Sequence, residues 1–144
     1  MHAAAINRPM RVLVVDDEPS SRSFAVRVLH DAGYAVDEAS DGPDALRIVD
    51  REGLFDVFVI DVVMPGMRGD ELARRLRQRD PDVKVLYFTG YSDRLFEERE
   101  MLWENEAFIE KPVSVRGLLE ALAMMLFGHI RGDQTRRAKA RQDL

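Results

Sequence analysis

From Arg11 to Phe127 the chain alternates between two textures. Short apolar runs rich in branched residues are separated by longer charged stretches whose apolar residues recur at three- and four-residue spacings. Such alternation predicts parallel strands joined by crossover helices. Five strands are expected, at residues 11–15, 35–38, 57–60, 83–88 and 107–109. The first, third and fourth (VLVV, VFVI, VKVLYF) are nearly unbroken apolar runs. Strands buried on both faces look like that, so these three belong in the middle of the sheet. The second is shorter and more polar, as suits an edge.

Five helices fit around these strands. Pro19 can open the first, which runs to about residue 31, where Gly33 stops it. Asp41 can cap the second, at 43–51, and Gly53 follows its end. The third covers 70–79 and ends at Asp80-Pro81. Ser92 can cap the fourth, which reaches about residue 104. The fifth runs from 114 to about 127, with Leu118, Leu119, Leu122, Met125 and Leu126 at helical spacing. On the first helix the same spacing assigns Ala25, Val28 and Leu29 to the core, leaves Val26 for a docking surface and fits Phe24 to either group. Arg74, Arg75, Arg77 and Arg79 read as a solvated face of the third helix, and Trp103 as a core anchor.

Composition narrows the function classes. The chain has 144 residues, 46% hydrophobic and 33% charged, so one soluble domain with its own core is expected: residues 11–127, between an N-terminal extension at 1–10 and a basic, flexible tail at 128–144. There is no cysteine, which removes disulfides, cysteine-ligated metals and thiol nucleophiles. His2, His30 and His129 are too scattered for a histidine metal centre. A net charge of −5 argues against direct nucleic-acid binding. No apolar run approaches the ~18 residues of a membrane span. No secretory signal is recognisable at the N-terminus, so the expected location is the cytoplasm.

Open parallel sheets carry their sites in loops at the carboxyl ends of the strands. Asp16 and Asp17 directly follow the first strand, Asp61 ends the third, Thr89 ends the fourth, and Lys111 follows the fifth, before Pro112. Taken singly, each is an ordinary turn, cap or strand-end residue. Jointly they place three carboxylates, an ammonium group and a hydroxyl on one edge. Three converging carboxylates repel one another, and a hard divalent cation such as Mg²⁺ relieves that repulsion. Such a set of groups can stabilise a phosphoryl group in transfer, and one carboxylate can be its nucleophile.

The segments VLVVDDE (12–18), VFVIDVVMPGMRGDEL (57–72), VLYFTGY (85–91) and FIEKP (108–112) resemble the receiver domain of two-component response regulators. The pattern DxxMPxMxG around Asp61 is the most specific element. The resemblance covers about residues 11–127. It implies an α/β, doubly wound, five-stranded parallel sheet of flavodoxin-like order 2-1-3-4-5, with helices on both faces. It makes Asp61 the phosphoacceptor. It assigns Mg²⁺ to Asp16, Asp17 (the preferred direct ligand), Asp61 and the backbone carbonyl of Val63. It gives Thr89, Lys111 and the backbone N–H groups of Val62 and Gly90 to the phosphoryl oxygens. It makes Lys111-Pro112 a cis peptide. It assigns a switching role to Thr89 and Phe108, although spacing alone reads Phe108 as a core aromatic. Phenylalanine lacks the hydroxyl of the tyrosine frequent at that place. Val113 stands where phenylalanine is commoner. Glu18 extends the acidic cluster, touching bound water or facing solvent.

The implied partners are a histidine kinase or histidine phosphotransfer protein upstream, and a protein target downstream. The target would meet the face formed by the fourth helix, fifth strand and fifth helix. The chain would be a monomer or a phosphorylation-dependent dimer, and its chemistry would act on itself rather than turn over a separate substrate. A stand-alone module, a receiver fragment of a hybrid histidine kinase and a phosphorylation-independent interaction domain are the competing readings. An aspartyl-phosphate phosphatase is disfavoured because Asp16 and Asp17 are adjacent. A flavin protein is disfavoured because the acids would repel FMN.

Overall fold

Five parallel strands, β1 (Arg11–Val15), β2 (Ala35–Ala39), β3 (Val57–Asp61), β4 (Val85–Thr89) and β5 (Glu106–Glu110), pair in the order β2-β1-β3-β4-β5. The structure, a computed structural model, describes residues 8–90 and 105–128, except the side chain of Thr89. The expected helix at 92–104, with Trp103, and most of the expected extension and tail lie outside the described residues. The described helices are α1 (Pro19–Asp31), α2 (Gly42–Glu52), α3 (Gly69–Arg79) and α4 (Val115–Phe127). None of them is long and apolar enough to cross a membrane.

Alternate side chains of the three central strands β1, β3 and β4 enter opposite cores. Leu13, Val15, Phe58, Ile60 and Tyr87 pack with Ala45, Ile48 and Val49 of α2 and Leu72, Ala73 and Leu76 of α3. Val12, Val14, Val57, Val59, Leu86 and Phe88 pack with Ala25, Val28 and Leu29 of α1 and Leu118 and Leu122 of α4. The three apolar runs are therefore central because both of their faces are covered. Burial of each valine, leucine, isoleucine or phenylalanine among them contributes about 1.5–3 kcal/mol.

Helix ends follow local chemistry. The Asp41 side chain accepts the Asp44 N–H at 2.8 Å, as expected of a cap. Ser114 caps α4 through the Gly117 N–H at 2.9 Å. Glu18 is the cap of α1: its carboxylate accepts the Ser21 N–H at 2.7 Å and the Ser20 hydroxyl at 2.7 Å. Glu18 thus has a defined structural role that the acidic-cluster reading missed.

Several boundaries move by one or two residues. β4 starts at Val85 because the Val83 N–H closes a turn onto the Asp80 carbonyl at 3.1 Å. β5 extends to Glu106 and Glu110 because backbone pairing with β4 continues past its apolar centre. Two side-chain expectations fail. Phe108 is 47% exposed and is no core aromatic, since β5 is an edge strand. Arg77 turns in to pair with Glu106, whose carboxylate also accepts the Tyr87 hydroxyl at 2.9 Å.

Candidate functional site

Parallel pairing aligns the strand ends. Val15 pairs with Ile60, Asp61 with Phe88, and Thr89 with Glu110, so Asp16, Asp61, Thr89 and Lys111 all meet at the carboxyl edge. Asp16 is 1% exposed and Asp61 is 8% exposed, whereas Asp17 lies open to solvent. Carboxylate oxygens of Asp16, Asp17 and Asp61 all lie within 4.8 Å of one another. The Lys111 Nζ stands 3.6 Å from Asp16 Oδ2 and 3.6 Å from Asp61 Oδ2. The Lys111-Pro112 peptide bond that follows it is cis, as the resemblance implies.

The loop after β3 is shaped around Asp61. Gly66 has φ of +83°, a conformation that favours glycine. Gly69, at the start of α3, donates its N–H to the Val62 carbonyl at 2.8 Å. A Cβ on Gly69 would sit 2.3 Å from the Asp61 carbonyl oxygen. The final glycine of DxxMPxMxG therefore lets a helix start against the backbone of the candidate nucleophile.

Asp61 is electrostatically perturbed. Burial pushes its pKa from 3.8 to about 7; Lys111 opposes the rise, and the charges of Asp16 and Asp17 add to it. One lysine does not balance three carboxylates. Asp16 Oδ2 is buried and accepts no hydrogen bond. Its other oxygen accepts the Glu18 N–H at 2.9 Å. An all-oxygen cluster with an unsatisfied buried carboxylate oxygen fits a hard cation of the Mg²⁺ kind.

Not every expected group is placed for that chemistry. The Val62 N–H donates to the Phe88 carbonyl at 3.0 Å, continuing the β3–β4 ladder, so it is not free for a phosphoryl oxygen. The expected cradle is corrected on that point. Gly90 lies at the rim, where an open groove is lined by Glu18, Ser20, Phe24, Lys111 and Val113. The Val63 side chain faces solvent at the same edge. The Thr89 hydroxyl lies outside the described atoms.

The fold and this acidic edge define a doubly wound α/β domain with a candidate cation site at the carboxyl ends of its strands. A family model for the response regulator receiver domain matches residues 12–123. The sensor kinase CckA of Brucella abortus is 39% identical over 116 residues, which is 80% of this chain but 12% of that kinase. The response regulator receiver protein CpdR of Brucella abortus is 33% identical over 116 residues, 81% of this chain and 96% of CpdR. A solved structure of the response regulator TrrA from Thermotoga maritima, in complex with Mg²⁺–BeF, matches with a TM-score of 0.71 at 32% identity. That match covers 81% of this chain and 99% of TrrA. The chain belongs to the response regulator receiver family of two-component systems.

Proposed function

We propose that Asp61 accepts a phosphoryl group from a phosphohistidine on a histidine kinase or histidine phosphotransfer protein, and that the resulting acyl phosphate switches protein contacts. An Asp61 carboxylate oxygen attacks phosphorus, the phosphorus–nitrogen bond breaks, and the imidazole leaves and takes up a proton from solvent. Water later attacks the same phosphorus, releasing inorganic phosphate and restoring the carboxylate. The chain modifies only itself and turns over no separate substrate.

The observation that carries this reading is the placement of Asp61. It is nearly buried at the strand edge, 3.6 Å from the Lys111 ammonium and beside two further acids. Lys111 neutralises the nucleophile and remains close enough to meet an added phosphoryl oxygen. Asp16, Asp17, Asp61 and the Val63 carbonyl would hold Mg²⁺, with Asp17 the preferred direct ligand. When bound, the ion supplies the second positive charge that the acids and phosphoryl oxygens require. The Mg²⁺–BeF complex of the related TrrA supports that assignment. The groove beside α1 and Lys111 offers the phosphohistidine partner an approach, with Phe24 at its wall. Thr89 and Phe108 would carry the response toward a downstream protein.

A second reading places the same chemistry in a receiver that is one segment of a hybrid histidine kinase. The match to a short portion of CckA favours it.

Incubation with a small phosphodonor and Mg²⁺ should give one acid-stable, base-labile phosphoryl adduct per chain. Asp61→Asn should abolish it, and omission of Mg²⁺ should suppress it. Full labelling of the Asn variant would refute the assignment.

A further inference from the structure

Three acids in one pocket must be aimed as well as neutralised, and Arg22 bears on that aim from outside the pocket. It lies in the first turns of α1. Its Nη1 donates to the backbone carbonyl of Asp16 at 2.8 Å, and its Nε donates to Glu38 Oε1 on β2 at 2.8 Å. The Arg22 side chain is only 20% exposed, so it is packed rather than waving in solvent. The Asp16 N–H donates to the Ala39 carbonyl at 3.2 Å, and Asp16 Oδ1 accepts the Glu18 N–H. Asp16 is thus held at its N–H, at its carbonyl and at one carboxylate oxygen. The remaining oxygen, Oδ2, is the buried one that meets Lys111 and lacks a hydrogen bond.

We propose that Arg22, oriented by Glu38, is a positioning residue for the divalent-cation pocket. By fixing the Asp16 carbonyl it sets the rotation of the Asp16-Asp17 backbone, and so the direction of both carboxylates. The proposal rests on the Mg²⁺-dependent function above. The guanidinium suits the task because its planar fork offers separate donors to the carbonyl and the carboxylate at fixed geometry. A lysine can reach either acceptor but has no rigid fork to hold both. Neither Arg22 nor Glu38 contributes an atom to the acid cluster. Their effect on the ion is therefore the effect of an outer support on the groups that bind it.

Two simpler roles for Arg22 predict different results. As a mere strap between α1 and β2, it would change stability equally with and without Mg²⁺. As a mere nearby cation, it would repel Mg²⁺, and its removal would tighten binding.

The test uses the full chain and the variants Arg22→Gln, Arg22→Lys and Glu38→Gln. Mg²⁺ affinity is read from the Mg²⁺-dependent rise in Tm. The rate of phosphorylation by a small phosphodonor is followed against Mg²⁺ concentration. Arg22→Gln should weaken Mg²⁺ binding about tenfold, the lower end of the range for lost supporting contacts at metal sites. Arg22→Lys and Glu38→Gln should weaken it less. The rate at saturating Mg²⁺ should stay close to that of the wild type, because the ion-binding step is what changes. Unchanged Mg²⁺ affinity in all three variants, or tighter binding in Arg22→Gln, would overturn the proposal. If Arg22→Gln does not fold, the other two decide it. A wild-type chain that binds no Mg²⁺ would instead overturn the functional reading on which the proposal stands.

Discussion

Replacing Asp61 with Asn removes a buried charge at nearly constant shape, and in the metal-free protein it should raise stability at neutral pH. The carboxyl is 8% exposed, and its pKa rises from 3.8 to about 7, chiefly through burial, with Lys111 opposing and Asp16 and Asp17 adding. A folded-state value above the unfolded one means that the folded protein holds this proton more tightly than the unfolded chain. The associated stability is fully present below about pH 4 and is lost as pH climbs through about 7. A shift of about three units is worth at most about 4 kcal/mol at 1.36 kcal/mol per unit. Solvent at the open rim screens part of this, leaving about 1–3 kcal/mol. Asparagine cannot ionise, so the variant should exceed the wild type by that amount at about pH 8 and match it near pH 4. Urea unfolding followed by circular dichroism, with a chelator present, measures the difference. Adding Mg²⁺ should stabilise the wild type more and narrow the gap. A variant no more stable than the wild type at the higher pH would refute a pocket dominated by burial and acid repulsion.

Lys111→Ala should destabilise the metal-free protein at neutral pH by about 1–2 kcal/mol, because it removes the ammonium shared by Asp16 and Asp61. Most of that loss should disappear in an Asp61→Asn background, as a double-mutant cycle by thermal unfolding would show. Gly69→Ala should cost about 2–4 kcal/mol in urea, since its Cβ would lie 2.3 Å from the Asp61 carbonyl oxygen and α3 would have to shift. Glu106→Ala should cost about 2–4 kcal/mol by the same assay, because it removes a nearly buried carboxylate bonded to both Arg77 and Tyr87. Tyr87→Phe should cost less, about 1 kcal/mol.

The central strands were legible because burial on both faces writes itself as continuous apolar sequence, as in VFVI and VLYF. The acidic edge was legible because a parallel sheet brings every strand's carboxyl end to one side. What stayed hidden depends on partners distant in sequence. Arg77 and Glu106 are 29 residues apart, and nothing local in an arginine-rich helix distinguishes the one arginine that turns inward. Arg22 is 16 residues from Glu38 and looks like any helix cation until β2 lies beside it. Spacing misplaces Phe108 because alternation does not tell an edge strand's open side from its covered one. Glu18 does not read as a cap in the sequence because glutamate is not a favoured residue there. The two serines that follow it were the available signal, as one donates its hydroxyl and the other its N–H.

Chemical trapping distinguishes phosphoryl transfer to the Asp61 carboxylate from transfer to a neighbouring acid. Borohydride reduces an acyl phosphate on aspartate to homoserine, which peptide mass spectrometry can locate. After treatment with a small phosphodonor and Mg²⁺, homoserine should appear at position 61 alone. Homoserine at position 16 or 17, or at no position despite phosphate incorporation, would contradict transfer to Asp61.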